Sequence, residues 1–469
     1  MEEIAKKRAH VLVVPHSWQG HINPMLQFSR RLASKGVKVT LAITNYLFKT
    51  LDPMFDSLAL ATISDGHDEG WGPLAENLEA YLADLKSVGS QSLGDLIEAY
   101  AVTPHPITCL VYDSILPWIF DVARKYNLMR APFFTQACAV NYVFFLIYHG
   151  KLSVPLSSWP VEILGLPPLS VNDLPSFVGC PESYPIHLKW AVSQHSNLDE
   201  VDFLLVNSYY ELENKVISAM SRECPSPLLT IGPTVPSFYL DNRIEYDKDY
   251  GINLHHFDNR TSITHWLTTR PPKSVVYVSF GSIASLSNTQ MEELAWGLKA
   301  SGCDFLWVVR ASEVGKLPPG FAKEAGESGL LVRWCPQLEV LASEAIGCFF
   351  THCGWNSILE ALALGVPTIG MPQWVDQPTN AMLMQDVWKV GVRVKADKEG
   401  LVMREEIANC INEVMVGERS EEIRQNAKRL KDMAKNAFSQ GGTSDKNIDE
   451  FISKIERSKL GERSEEITT

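Results

Sequence analysis

His352, Gly354, Asn356, Ser357 and Glu360 crowd the stretch HCGWNSILE in the second half of the chain. An apolar run at 346–350 leads into them and an amphipathic segment at 356–364 leads away, so they lie where a strand hands over to a helix. Free backbone N–H groups and the positive end of the helix dipole suit such a place to a phosphate. Gly354 lets the main chain approach an anion, and the Asn and Ser side chains add donors. Glu360 comes four residues after Asn356 and three after Ser357, so all three project from one helical face. A carboxylate one turn beyond a phosphate is placed to accept hydrogen bonds from ribose. Trp334 upstream offers a flat indole to a base, while Asp376 and Gln377 downstream supply an acceptor and a donor for sugar hydroxyls. These are groups suited to a phosphate, a flat base and sugar hydroxyls.

The elements that must position these groups are read from periodicity. Gly365 stops the helix and 366–371 is a second apolar run, which completes a βαβ unit of a parallel sheet. The first half shows the same grammar. A strand at 11–15 precedes the loop HSWQGHINP, a helix at 24–34 opened by Pro24, a stop at Gly36 and a strand at 37–44. Further strands are expected at 108–113, 131–136, 203–208 and 228–231, with a helix at 114–126. The segment 137–190 is rich in aromatics and proline, and such loops around a parallel sheet often form an apolar binding wall. Polar, unperiodic residues at 236–259 read as a linker. The second half restarts with a strand at 274–280 followed by Gly281 and Ser282, then strands at 305–310 and 329–333. Helices near 404–415 and 420–438 and a last one carrying Ile448, Phe451, Ile452 and Ile455 close the chain, with a polar tail after Leu460 expected to fray. The prediction is an α/β protein with domains at 1–240 and 260–444, a linker at 241–259, and a final helix at about 445–460.

Length and charge narrow the function classes. The 469 residues suffice for two to three domains, and a net charge of −13 argues against sequence-independent nucleic-acid binding. A diphosphate therefore has to be held by local donors. Nine scattered cysteines contain no C-x-x-C pair, and Cys348, His352 and Cys353 lie within one strand and turn, so neither a disulfide scaffold nor zinc is expected. The acidic loop at 63–72 lacks the spacing of a calcium loop, and Asp247-Lys248-Asp249 follows no apolar strand, as a manganese-holding D-x-D would. His255 and His256, in the same polar segment, read as solvated. The run at 11–14 is too short for a signal peptide or a membrane span, and the reading is a soluble cytosolic protein. Neither G-x-G-x-x-G nor G-x-x-x-x-G-K-[ST] occurs, which weakens dehydrogenase and NTPase readings.

Taken together, Trp334 to Gln377 resembles the signature box of plant family 1 UDP-glycosyltransferases: the opening W-x-P-Q, the central HCGWNS with its following E, and the closing D-Q. The likeness extends over essentially the whole chain. Gln19-Gly20-His21, SDGHDEGW, YDS…PW and APFFTQ look most like the group that glucosylates small acids, terpenoids and steroids. It implies the GT-B arrangement, two facing Rossmann-like domains, with the last helix crossing back onto the first. It also implies a UDP-glucose donor, a small lipophilic acceptor, no cofactor, no metal, no membrane span and a monomer. By resemblance, Trp334 would stack on uracil near the Cys335 backbone and Gln337. Glu360 would hold ribose, and Trp355, Asp376 and Gln377 would contact the hexose. Ser282, His352, Asn356 and Ser357 would surround the diphosphate in place of a metal ion. His21 takes the place of the family's base, and Asp113, at the end of a parallel strand, would orient it and stabilise its cation. Inversion at the anomeric carbon follows from a single displacement. The acceptor wall is drawn from Trp18, Gln136, Tyr142, Phe145, Trp190 and Trp374. Trp18 and His16 depart from the family's usual residues before Q-G-H, and Trp18, three residues from His21, is expected to line the pocket. A nucleotide-sugar epimerase and a non-catalytic binder on the same fold are the competing readings.

Overall fold

A computed structural model describes residues 9–51, 58–70, 77–252, 254 and 257–459. The first ten residues in part, Trp71 and Gly72 of the acidic loop, His255, His256 and the tail from Leu460 onward lie outside them. Runs such as HVLVV, CLVYD and VVYVS are buried at every position, as parallel strands covered on both faces must be. They assemble two sheets. The first contains β1 (His10–Val14), β2 (Lys38–Thr44), β3 (Ala59–Ile63), β4 (Cys109–Asp113), β5 (Met129–Phe134), β6 (Leu204–Val206) and β7 (Leu228–Thr230), in the order β3-β2-β1-β4-β5-β6-β7. The second contains β8 (Val275–Ser279), β9 (Asp304–Val308), β10 (Gly329–Val332), β11 (Ile346–Thr351), β12 (Thr368–Gly370) and β13 (Gly391–Arg393), in the order β10-β9-β8-β11-β12-β13. All these pairings are parallel.

Each sheet reverses its winding once, between β1 and β4 in the first and between β8 and β11 in the second. Doubly wound sheets open a crevice at the carboxyl ends of the strands that flank such a reversal. His16 to His21 follow β1, Asp113 ends β4, Gly281 and Ser282 follow β8, and His352 to Asn356 follow β11. The chemistry-bearing residues therefore stand at the two crevices the topology creates.

Three differences from expectation matter for the site. The first helix runs Gln19–Ser34, five residues ahead of Pro24, so His21 lies in a helical first turn and not in a loop. Pro24 is tolerated there because the residue four positions back, Gly20, gives its carbonyl to another donor, Asn356 Nδ2 at 2.8 Å. The connecting segment is hydrogen-bonded along its length: Asp247 accepts from the Ser237 backbone at 2.6 Å, Arg30 at 2.7 Å and Gln27 at 3.2 Å. The first Asp of the D-x-D is thus a clamp on the first helix. A long helix, Leu78–Ala101, follows the acidic loop.

The terminal helix Thr443–Lys459 lies on the first sheet, where Phe451 sits 5.9 Å from Phe28 and 5.3 Å from Phe203 between ring centroids. Among the described residues no helix is long and apolar enough to cross a membrane.

Candidate active site

At the first crevice His21 and Asp113 meet. Asp113 is fully buried and its Oδ2 lies 2.7 Å from His21 Nδ1. Oδ2 also accepts the His16 backbone N–H at 3.2 Å, and Oδ1 that of Ile115 at 3.3 Å. Burial pushes the Asp113 carboxyl up, but the His21 imidazole and the His16 N–H outweigh it and hold the group below its ordinary value. The carboxylate so fixed places the proton of neutral His21 on Nδ1 and leaves Nε2 as an acceptor. Thr135 Oγ1 stands 3.3 Å from Nδ1 and steadies the ring. The neighbouring His16 is pushed down to about 3 by burial and by His21, so it stays neutral.

Around this pair the aromatic rings close in. Trp18 lies 5.6 Å from His21, 4.3 Å from His16 and 5.9 Å from Trp190, all between centroids. Trp190 is fixed by donating Nε1 to the Ile115 carbonyl at 2.8 Å. Trp374 comes from the second domain and packs 6.2 Å from both Phe177 and His187. Gln136 donates to Asn141 at 2.6 Å. Tyr142 and Phe145 differ from expectation: each is 1% exposed in the core, and the Tyr142 hydroxyl is given to Glu223, so they support the wall from behind and do not face an open pocket.

The second crevice is built on two glycines. Gly281 has φ +69, and a Cβ there would come within 2.7 Å of His352 Nε2; at Gly354 the distance would be 2.5 Å. Only residues without side chains let the imidazole lie between the two turns. Burial lowers His352 to about 4, which keeps it neutral. Gly354 caps the helix Trp355–Leu364, whose first N–H groups face the crevice end. Ser357 accepts Gln337 Nε2 at 3.0 Å, and the same amide donates to Glu360 Oε2 at 2.6 Å. Burial raises the Glu360 carboxyl to about 7 and that of Asp376 to about 6. Asp376 accepts from Asn380 at 2.7 Å, and burial outweighs that bond.

Gln377 accepts the backbone N–H of Gln373 at 2.9 Å and of Trp374 at 3.1 Å, which leaves its amide nitrogen for a sugar hydroxyl. The Cys335 thiol contacts the Tyr277 hydroxyl at 3.4 Å and is pushed up to about 12 by burial, so any contact with a base falls to its main chain. Trp334 is half-buried, and its carbonyl accepts from Asp258 at 3.1 Å. Trp355 is turned away from a hexose: its indole is 4% exposed and donates to the Asn207 carbonyl at 2.7 Å, which leaves only its main chain to a sugar.

Sequence reasoning missed Arg310. Its guanidinium donates to the carbonyls of Ser282 and Ala284 and braces the turn after β8, with a positive charge felt at His352. Its position at the end of β9 was the available signal, because ligands gather at carboxyl ends.

A family model described as UDP-glucoronosyl and UDP-glucosyl transferase matches residues 247–437. UDP-glycosyltransferase 74F2 of Arabidopsis thaliana is 49% identical over 455 residues, covering 96% of this chain and 99% of the relative. The chain belongs to the UDP-glycosyltransferase family. As a member it is an enzyme that glycosylates small molecules. The transferase is also 49% identical to Flavonol 7-O-beta-glucosyltransferase UGT74F1 of Arabidopsis thaliana, over 96% of this chain and 99% of that protein. Its fold superposes with a TM-score of 0.91 on the crystal structure of Os79 from O. sativa in complex with UDP, at 42% identity over 95% of this chain and 100% of that one. The two sheets are the paired Rossmann-like domains of a GT-B glycosyltransferase.

Proposed function

We propose that this transferase moves glucose from UDP-glucose to a hydroxyl or carboxyl of a small lipophilic acceptor of terpenoid, steroid or phenolic type, with inversion and without a metal. The observation that carries the reading is the facing of the two crevices. The helix bearing His21 and the helix N-terminus at Asn356 touch through the 2.8 Å bond from Asn356 Nδ2 to the Gly20 carbonyl, one residue from the base. A sugar held by the second crevice then presents its anomeric carbon to an acceptor held at the first.

In the step itself, His21 Nε2 takes the acceptor proton while Asp113 holds the imidazolium that forms. The acceptor oxygen attacks the anomeric carbon as the bond to the diphosphate breaks, and the leaving charge falls on the helix N-terminus, Asn356 and Ser357, with the braced Ser282 turn beside them. Attack from the side opposite the leaving group inverts the centre. The apolar wall of Trp18, Trp190 and Trp374 suits a flat or polycyclic acceptor. One relative, the flavonol 7-O-beta-glucosyltransferase of Arabidopsis thaliana, is named for a small-molecule acceptor, in agreement with this reading.

The test is a mass-spectrometric screen of phenolic, terpenoid and steroid acceptors with UDP-glucose in excess EDTA, followed by proton NMR of the product. We expect a single β-linked glucose, and a loss of roughly a thousandfold in kcat in His21→Ala. Full loss of activity in EDTA would overturn the metal-free step, and wild-type turnover in His21→Ala would overturn the base.

A further inference from the structure

The connecting segment at residues 250–252 and 254 is held from both sides of the cleft. Gln19, first residue of the helix that carries His21, donates Nε2 to the Ile252 carbonyl at 2.8 Å and accepts the Leu254 N–H at 2.9 Å. On the other side the Tyr250 hydroxyl donates to Glu360 Oε1 at 2.8 Å. The second carboxylate oxygen takes Gln337 Nε2 at 2.6 Å, and that amide is oriented by the Tyr277 hydroxyl, which donates to its Oε1 at 3.0 Å. Each oxygen of Glu360 therefore has one neutral donor and keeps lone-pair capacity for another. A pair of adjacent hydroxyls, as on ribose, fits that capacity.

We propose that Tyr250 determines specificity at the donor site by fixing the Glu360 carboxylate for the ribose hydroxyls of the nucleotide. The proposal rests on the reading of Glu360 as the ribose acceptor. A glutamate has three side-chain torsions, and holding it in one geometry before the nucleotide arrives removes an ordering cost from binding. Gln337 restrains one oxygen and Tyr250 the other. With Phe at 250 the ring keeps its place in the apolar cluster that also holds Leu254 and Leu364, and only the hydroxyl is lost. What is lost is a hydrogen bond to a carboxylate, among the stronger kinds.

The experiment is calorimetric titration of UDP, 2′-deoxy-UDP and 3′-deoxy-UDP into the full-length wild type, Tyr250→Phe and Glu360→Gln, with steady-state kinetics on UDP-glucose. We expect the wild type to prefer UDP over the deoxy nucleotides and Glu360→Gln to lose most of that preference. Tyr250→Phe should reduce it about fivefold to tenfold, and raise KM for UDP-glucose by more than it lowers kcat. Loss of packing alone would weaken all three nucleotides equally. If Tyr250→Phe keeps the wild-type preference, or binds UDP more tightly because the hydroxyl had occupied the ribose's place, the proposal is overturned. If Glu360→Gln keeps the preference, the ribose reading of Glu360 falls and takes the proposal with it.

Discussion

Glu360 is 4% exposed and its two donors, Tyr250 and Gln337, are both neutral, so burial dominates and the carboxyl rises from its ordinary 4.5 to about 7. Between those values the folded chain holds a proton that the unfolded chain has released. The contribution to stability is complete below about 4.5 and is lost as pH rises to about 7, a change on the order of 3 kcal/mol. Asp113 is the opposite case: His21 and two backbone N–H groups keep it ionised, so it adds no such slope at neutral pH. Glu360→Gln keeps the shape and cannot ionise. Thermal unfolding at pH 5 and pH 8 should show the variant equal to wild type at the lower pH and several degrees more stable at the higher; equal slopes in both proteins would refute the burial argument. The sequence shows that Glu360 shares a helical face with Asn356 and Ser357, because that is a matter of spacing. It does not show Tyr250, which is 110 residues away and arrives only through the fold.

The strand-turn-helix units after β8 and β11 act as one element around His352. A methyl at Gly281 would meet His352 Nε2 at 2.7 Å, and φ +69 adds backbone strain, so either the imidazole or the turn must move. Both flank the crevice in which the diphosphate is proposed to lie. Gly281→Ala is therefore expected to weaken UDP binding at least roughly tenfold in calorimetry while leaving the unfolding midpoint within a few degrees, since the change is confined to one turn. Unaltered UDP affinity would mean that His352 does not touch the ligand site. Legibility at this scale follows the strength of the apolar signal. The turn at 351–354 stands out between an apolar run at 346–350 and an amphipathic one at 356–364. The start of the helix Gln19–Ser34 does not, since QGHIN carries no periodicity and Pro24 imitates a first helical residue. The helix Leu78–Ala101 escapes notice because two positions of its buried face are glycines, Gly89 against Trp118 and Gly94 against Tyr126, which dilute the hydrophobic period.

At the scale of the molecule the two domains share buried contacts that no single-domain pattern could reveal. Trp355 donates across the cleft to Asn207, and Trp388 to the Leu212 carbonyl at 3.2 Å, so two indoles clasp the segment after β6. The apolar core around them runs through both domains, from Tyr112 and Phe134 to Ile358 and Leu430. The terminal helix adds a second tie. Ser444 donates to the Gly232 carbonyl at 2.6 Å, Asp445 pairs with Arg243 and Lys35, each at 2.8 Å, and Phe451 is fully buried between Phe28 and Phe203. Its alternation of Ile448, Phe451, Ile452 and Ile455 is visible in the sequence, but the surface it covers is not. Removing the ring leaves a cavity on the face of the first sheet that also packs the helix carrying His21. Phe451→Ala should therefore cost about 3 to 5 kcal/mol. The cost should fall on the first domain, so that in urea the variant loses glycosyl transfer at a concentration where it still binds UDP, whereas the wild type loses both together. Loss of both activities at one urea concentration in the variant would show that the indole clasps alone bind the domains into a single cooperative unit.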